Sequence, residues 1–155
     1  MTPKRIYLDV CCLCRPFDDQ RVHRIRMETE AVTEILKHCM TDWELVGSEA
    51  IESEIFEISD EERRESVESV LQFTRSRVVI DEEVEAIARG YHRFGLSPFD
   101  ALHLACAGSA GAIFLTTDDP LIKSIKKHED KITTRVHNPV QWLMEETLDG
   151  SEDIE

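Results

Sequence analysis

Short apolar runs alternate with amphipathic segments along the chain, the pattern of an α/β domain built on a parallel sheet. The first run, Ile6-Tyr7-Leu8, predicts a strand over residues 5–9, and Ile25, Val32, Ile35, Leu36 and Cys39 share one face of a predicted helix over 21–40. A second strand is expected at 43–47. Ser48 then caps a helix to about residue 59, and Asp60 opens another that carries Val67, Val70 and Leu71. A third strand is expected at 77–80. Val84, Ile87, Ala88 and Tyr91 follow at helical spacing until Gly95 stops them. Ser97-Pro98-Phe99-Asp100 has the residues of a helix start, and the helix it opens is apolar around nearly its whole circumference. Further strands are expected at 112–116 and 132–136, with short helices opening at Asp119-Pro120 and Asn138-Pro139, the latter burying Val140, Trp142 and Leu143. There are no internal repeats.

A chain of 155 residues with 41% hydrophobic composition supports one core, so a single domain over 1–147 is expected. Residues 145–155 hold six acids and no base, and after Leu148 only Ile154 is apolar. An acidic disordered tail over 148–155 is therefore expected. No stretch approaches the length of a membrane span and no signal-peptide core follows Met1, which predicts a cytoplasmic protein with no membrane partner. The five cysteines, an odd number, fit free thiols in a reducing compartment. Cys11 and Cys14 have the spacing of half a zinc motif, but no second pair follows.

The formal charge of -14 excludes a broad basic face for nucleic acid. Part of that charge belongs to the tail, and a carboxylate-rich site whose charge a metal cancels would account for more. In an open parallel sheet, ligands bind beyond the carboxyl ends of the strands, so acids placed just after strands carry the most weight. Asp9 is a lone charge between Ile6-Tyr7-Leu8 and Val10-Cys11-Cys12-Leu13, and a buried carboxylate needs cations or several donors. Asp118 closes Phe114-Leu115-Thr116-Thr117, although it or Asp119 can also simply cap the helix at Pro120. Asp100 stands in the first turn of the apolar helix, with His103 one turn on, either as a polar partner or as a histidine satisfied within the core. Of the acids after Ser48, Glu54 lies nearest the stripe of Ile51, Ile55 and Ile58, while Glu49, Glu52 and Glu57 read as a solvated face.

Taken together, Ile6-Tyr7-Leu8-Asp9-Val10-Cys11, Glu54-Ile55, Ser97-Pro98-Phe99-Asp100-Ala101-Leu102-His103-Leu104-Ala105 and Phe114-Leu115-Thr116-Thr117-Asp118-Asp119 resemble the PIN-domain family over about residues 5–144. The resemblance implies a three-layer α/β fold, a central parallel sheet of four or five strands flanked by helices. It also implies a metal-dependent endoribonuclease, as in VapC-type toxins, with Mg²⁺ or Mn²⁺ as cofactor. Carried over by residue, Asp9, Glu54, Asp100 and Asp118 are the catalytic acids. Asp9, Asp100 and Asp118 would be the closest metal ligands, Glu54 would act through a water, and Asp119 is a further candidate ligand. Thr116, matching the family's small hydroxyl residue two before the last acid, would help orient the site; His103 joins it as a candidate behind the acids by its position one turn after Asp100, not by the resemblance. The chain departs from the family two residues after Asp9, where Cys11 stands in place of the common Asn or Ser and removes a hard polar side chain.

A hard divalent ion suits such oxygen donors and can stabilise charge on a phosphodiester undergoing in-line attack. Product polarity, a 5′-phosphate and a 3′-hydroxyl, comes from the resemblance alone. Among the scattered bases, Arg15 is the candidate phosphate contact, being nearest Asp9 in sequence. The expected partners are RNA, a cognate antitoxin and a second copy in a homodimer. Two other readings remain open: a PIN-like interaction module that no longer cuts, and an acidic-pocket phosphohydrolase. The second of these usually needs an Asp where Cys11 stands.

Overall fold

The computed structural model describes the backbone of residues 3–154 and the side chains of residues 3–147. Five parallel strands form one sheet: β1 (Lys4–Leu8), β2 (Trp43–Ser48), β3 (Thr74–Val78), β4 (Ile113–Leu115) and β5 (Val136–His137), in the order β3-β2-β1-β4-β5. Among the described residues eight α-helices flank it: α1 (Val10–Cys14), α2 (His23–Cys39), α3 (Glu49–Phe56), α4 (Glu61–Ser69), α5 (Glu82–Arg93), α6 (Pro98–Ser109), α7 (Asp119–Lys126) and α8 (Pro139–Ile154). The α/β fold expected from the alternation of apolar runs is the fold observed. The side chains of the acidic tail over 148–155 lie outside the described residues. Among the described residues, no helix is long and apolar enough to cross a membrane.

The central strands are buried on both faces, which is why β1 and β4 read as unbroken apolar runs rather than alternating ones. Ile6, Tyr7, Leu8, Phe114 and Leu115 are all at most 1% exposed. Helix starts follow the local chemistry. The side chains of Ser48, Asp60, Asp81, Ser97 and Asp118 each accept a backbone N–H in the first turn of α3, α4, α5, α6 and α7. Gly95, with φ +101°, allows the chain to leave α5 in a backbone conformation that costs other residues strain.

Three expectations shift. The third strand runs over Thr74–Val78 rather than 77–80, because this edge strand pairs through half-polar residues and the apolar Val79 and Ile80 lie beyond it. The last strand is only Val136–His137; Ile132 is buried from a loop, not from the sheet. The apolar run after Asp9 is a short helix, Val10–Cys14, whose N-cap is Asp9 itself.

Strand order fixes the position of any site. The chain leaves β1 toward β2 on one side, and leaves β4 toward β5 on the other. The connections diverge between β1 and β4 and open a crevice beyond their carboxyl ends. Asp9 and the segment Thr116–Asp118 sit at that crevice. Phe114, fully buried on β4 in edge contact with Tyr7, supports it from below. Phe114→Ala should destabilise the fold by about 3 to 5 kcal/mol, measurable as a lowered midpoint in urea denaturation.

Candidate active site

Asp9 is 6% exposed, and its carboxylate is held from two directions. Oδ1 accepts the Val10 N–H at 2.8 Å and Oδ2 accepts the Thr116 hydroxyl at 2.7 Å. Burial, and after it the nearby Glu54 carboxylate, raise the Asp9 pKa, while the His103 ring, the Thr116 hydroxyl and the Val10 N–H pull it back. Thr116 is itself fully buried and ties three parts of the site together. Having given its proton to Asp9, its oxygen accepts the Asp118 N–H at 3.2 Å and stands 3.4 Å from Cys11 Sγ, which must therefore be the donor of that pair. Cys11 Sγ in turn accepts the Thr117 N–H at 3.4 Å. The thiol at the family's common Asn or Ser position thus keeps a hydrogen-bonding role, though with a weaker donor.

Glu54 comes to Asp9 from α3. The ligand atoms of Asp9, Glu54 and His103 all lie within 4.8 Å of one another, the compact group among the described residues able to hold a cation. Glu54 Oε1 is 2.7 Å from His103 Nε2, and His103 Nδ1 is 2.7 Å from the Tyr7 hydroxyl. Both ring nitrogens are therefore engaged. What remains for a ligand is carboxylate oxygen, a donor set that fits a hard divalent cation. The other α3 acids are turned to separate tasks: Glu49 accepts the Ile80 N–H and Glu52 pairs with Arg77.

Asp100 and Asp118 lie outside the compact group but not far from it. Asp100 has its pKa raised, first by burial and then, against a hydrogen bond with Ser97, by repulsion from Asp9 and Asp118. Asp118 is exposed and its Oδ1 caps α7 by accepting the Leu121 N–H at 3.1 Å. Asp119 points elsewhere. Arg24 grips both its oxygens at 2.8 and 2.9 Å, and that hydrogen bonding lowers its pKa. Arg15 is also engaged on every nitrogen, with Glu28 at 2.8 Å, Asp18 at 2.9 Å and the Thr117 hydroxyl at 3.1 Å.

In the sequence Tyr7 reads as a strand residue and Ser48 as a helix cap, neither as part of the site, and Glu28 has no assigned place. Glu28 is 1% exposed, yet it accepts hydrogen bonds from Arg15, Arg24 and the Asn138 amide, fixing both arginines beside Thr117. One signal was available: Glu28 lies four and seven residues before Val32 and Ile35 on the buried face of α2.

Residues 6–127 match the family model described as PIN domain. The chain belongs to the PIN-domain family. Two solved structures share the fold. The crystal structure of FitAcB from Neisseria gonorrhoeae aligns with a TM-score of 0.57 and 18% identity over 86% of this chain and 97% of that one. The structure of FitAB bound to an IR36 DNA fragment aligns with a TM-score of 0.57 and 20% identity over 87% and 95%. Comparison with curated proteins gave no match. The family assignment accounts for the acids at the crevice, since PIN domains are generally nucleases that use divalent metals.

Two outcomes follow from these charges. The folded chain holds the Asp9 proton to higher pH than the unfolded chain does, so the stability this group contributes is full below the unfolded pKa and is lost as pH rises through the raised folded value. Asp9→Asn should therefore melt higher than wild type at neutral pH without metal, and the gap should close on acidification in paired thermal melts. Glu28→Ala removes the buried acceptor that Arg15, Arg24 and Asn138 share and should cost about 3 kcal/mol in chemical denaturation, the lower end for a broken buried pair because Arg15 keeps Asp18, Arg24 keeps Asp119, and the Arg15 side chain is 22% exposed.

Proposed function

We propose that this PIN-family chain is a divalent-metal-dependent endoribonuclease that hydrolyses RNA phosphodiester bonds as the toxin half of a toxin–antitoxin pair. The observation that carries this reading is the Asp9 carboxylate, buried beside Glu54 at the crevice where the strand order reverses. Asp9, Asp100 and Asp118 would hold Mg²⁺ or Mn²⁺ directly, with Glu54 acting through a water. When bound, the ion supplies Lewis acidity toward the phosphoryl group. The protein's own part is orientation and charge. Val10 N–H and the Thr116 hydroxyl fix the plane of the Asp9 carboxylate, and the mutual repulsion of Asp9, Asp100 and Asp118 favours a cation among them.

Other parts of the reading rest on the family. The cut is expected to leave a 5′-phosphate and a 3′-hydroxyl. FitAB, a relative in fold, is bound to a DNA fragment, which supports a DNA-binding antitoxin as the partner here. A homodimer in the cytoplasm, one domain over 1–147 and an acidic tail complete the reading. The net charge of -14 and the engagement of Arg15 and Arg24 with carboxylates favour the other reading, an interaction module that does not cut.

An assay separates the two. Full-length protein with Mn²⁺ should cleave single-stranded RNA, and Asp9→Asn should slow cleavage by about 100-fold or more while remaining folded, since even partners behind metal ligands are worth 10 to 100-fold. RNA left intact by a wild-type protein that also binds no Mn²⁺ would exclude the nuclease and leave the interaction module.

A further inference from the structure

Behind Glu54 runs a chain of buried polar groups that returns to the helix Glu54 stands on. Ser48 Oγ, the N-cap of α3, accepts the Ile51 N–H at 3.0 Å and lies 2.6 Å from the Tyr7 hydroxyl of β1. Tyr7 is 2.7 Å from Nδ1 of His103 on α6, whose Nε2 reaches Glu54 Oε1 at 2.7 Å. Ser48, Tyr7 and His103 are at most 1% exposed, so water does not compete for these bonds. Three aromatic rings confine the imidazole. Phe99 and Phe114 stack on it at 6.2 and 6.5 Å between centroids, and Tyr7 meets it edge-on at 5.7 Å.

Chemistry fixes the direction of the chain. An ionised Glu54 can only accept, so Nε2 must carry a proton. In the neutral ring Nδ1 is then a bare lone pair, which the Tyr7 hydroxyl meets as donor. The phenol has a single proton, and this bond commits it to Nδ1. The Tyr7 oxygen is left to accept from Ser48, whose own oxygen accepts from Ile51. Ser48, Tyr7 and His103 each donate once along the line, and Glu54 accepts at its end.

We infer that His103 is a positioning residue rather than a metal ligand: the Glu54 carboxylate and the Tyr7 hydroxyl together fix it in the Nε2–H tautomer, and it in turn holds the Glu54 carboxylate against Asp9 for metal binding. The inference deepens the metal-nuclease reading and rests on it. A glutamate has three rotatable side-chain bonds, and the Glu54 side chain is 31% exposed. Unanchored, it would sample rotamers that leave Asp9 without its neighbour. The rigid, fully buried ring removes that freedom. The same bond occupies Nε2, the imidazole nitrogen that faces the acids.

The test uses the full chain. In metal-free, ¹⁵N-histidine-labelled protein, NMR should find His103 as the Nε2–H tautomer, and Tyr7→Phe, which removes the donor to Nδ1 and leaves only the Glu54 acceptor, should weaken that preference while thermal melts show the variant folded. Calorimetric titration with Mn²⁺ should show Tyr7→Phe and His103→Leu binding about 10 to 100-fold more weakly than wild type. His103→Gln, whose amide N–H can take the place of Nε2–H, should bind within a few-fold of wild type. The inference is overturned by a wild-type Nδ1–H tautomer, by unchanged Mn²⁺ affinity in Tyr7→Phe, by failure of His103→Gln to restore what His103→Leu loses, or by a directly coordinated imidazole nitrogen in pulsed EPR of the Mn²⁺ complex. Should wild-type protein bind no Mn²⁺, the nuclease reading falls. The Tyr7 dependence of the tautomer in metal-free protein then still decides whether the chain operates as described.

Discussion

A carboxylate held out of water at the end of a buried strand is the constraint that organises this molecule. Asp9 cannot be left alone where it is, because an ionised group at 6% exposure requires compensation from fixed donors or from a cation. The fold supplies the donors from opposite directions. The α1 N-terminus gives a backbone N–H, and the segment after β4 gives the Thr116 hydroxyl. These two donors leave lone pairs on both oxygens; beyond them stand the His103 ring, 3.9 Å from Oδ1 and already committed to Glu54, and other acids. Compensation by the protein is thus partial, and the remainder is what a bound cation would provide.

Much of this was legible in the residue pattern. Asp9 stood out as a lone charge in an apolar run, and Glu54 as the acid at the edge of the α3 stripe; the structure sets them side by side with His103. The reading of Asp118 as a possible helix cap describes a contact it makes, while its nearness to Asp100 shows in their mutual repulsion. What could not be read is partner choice across long separations. Tyr7, Ser48 and His103 each look ordinary where they occur: a strand aromatic, a helix cap, a core histidine. Only the register of β1 beside β2 and the packing of α6 bring them into one line. Likewise the short helix after Asp9 was hidden because its apolar residues continue the strand's composition, and the cue to its start was the acid already assigned to chemistry.

The arginines nearest the crevice are spent on the chain's own acids. Arg15 and Arg24 meet at Glu28, Arg63 joins Arg15 on Asp18, and Arg77 holds Glu52. Such pairs set the geometry of the loops around the crevice more than they raise stability, because most are partly solvated. The arrangement makes the neighbourhood of Asp9 rigid without making it basic. Any attraction of this crevice for an anion would then depend on a cation held by its acids, in a way a basic groove would not.

The order of the strands carries a temporal meaning as well. β4 lies beside β1, although more than a hundred residues separate Thr116 from Asp9. Until the chain has been synthesised past Thr116, β1 has one unpaired edge and Asp9 lacks its hydroxyl donor. Closing so long a loop is slow and entropically costly, and comes late in assembly. A ribosome making this protein would therefore carry a nascent chain whose acidic crevice does not yet exist, and the crevice would form only once most of the sheet has emerged.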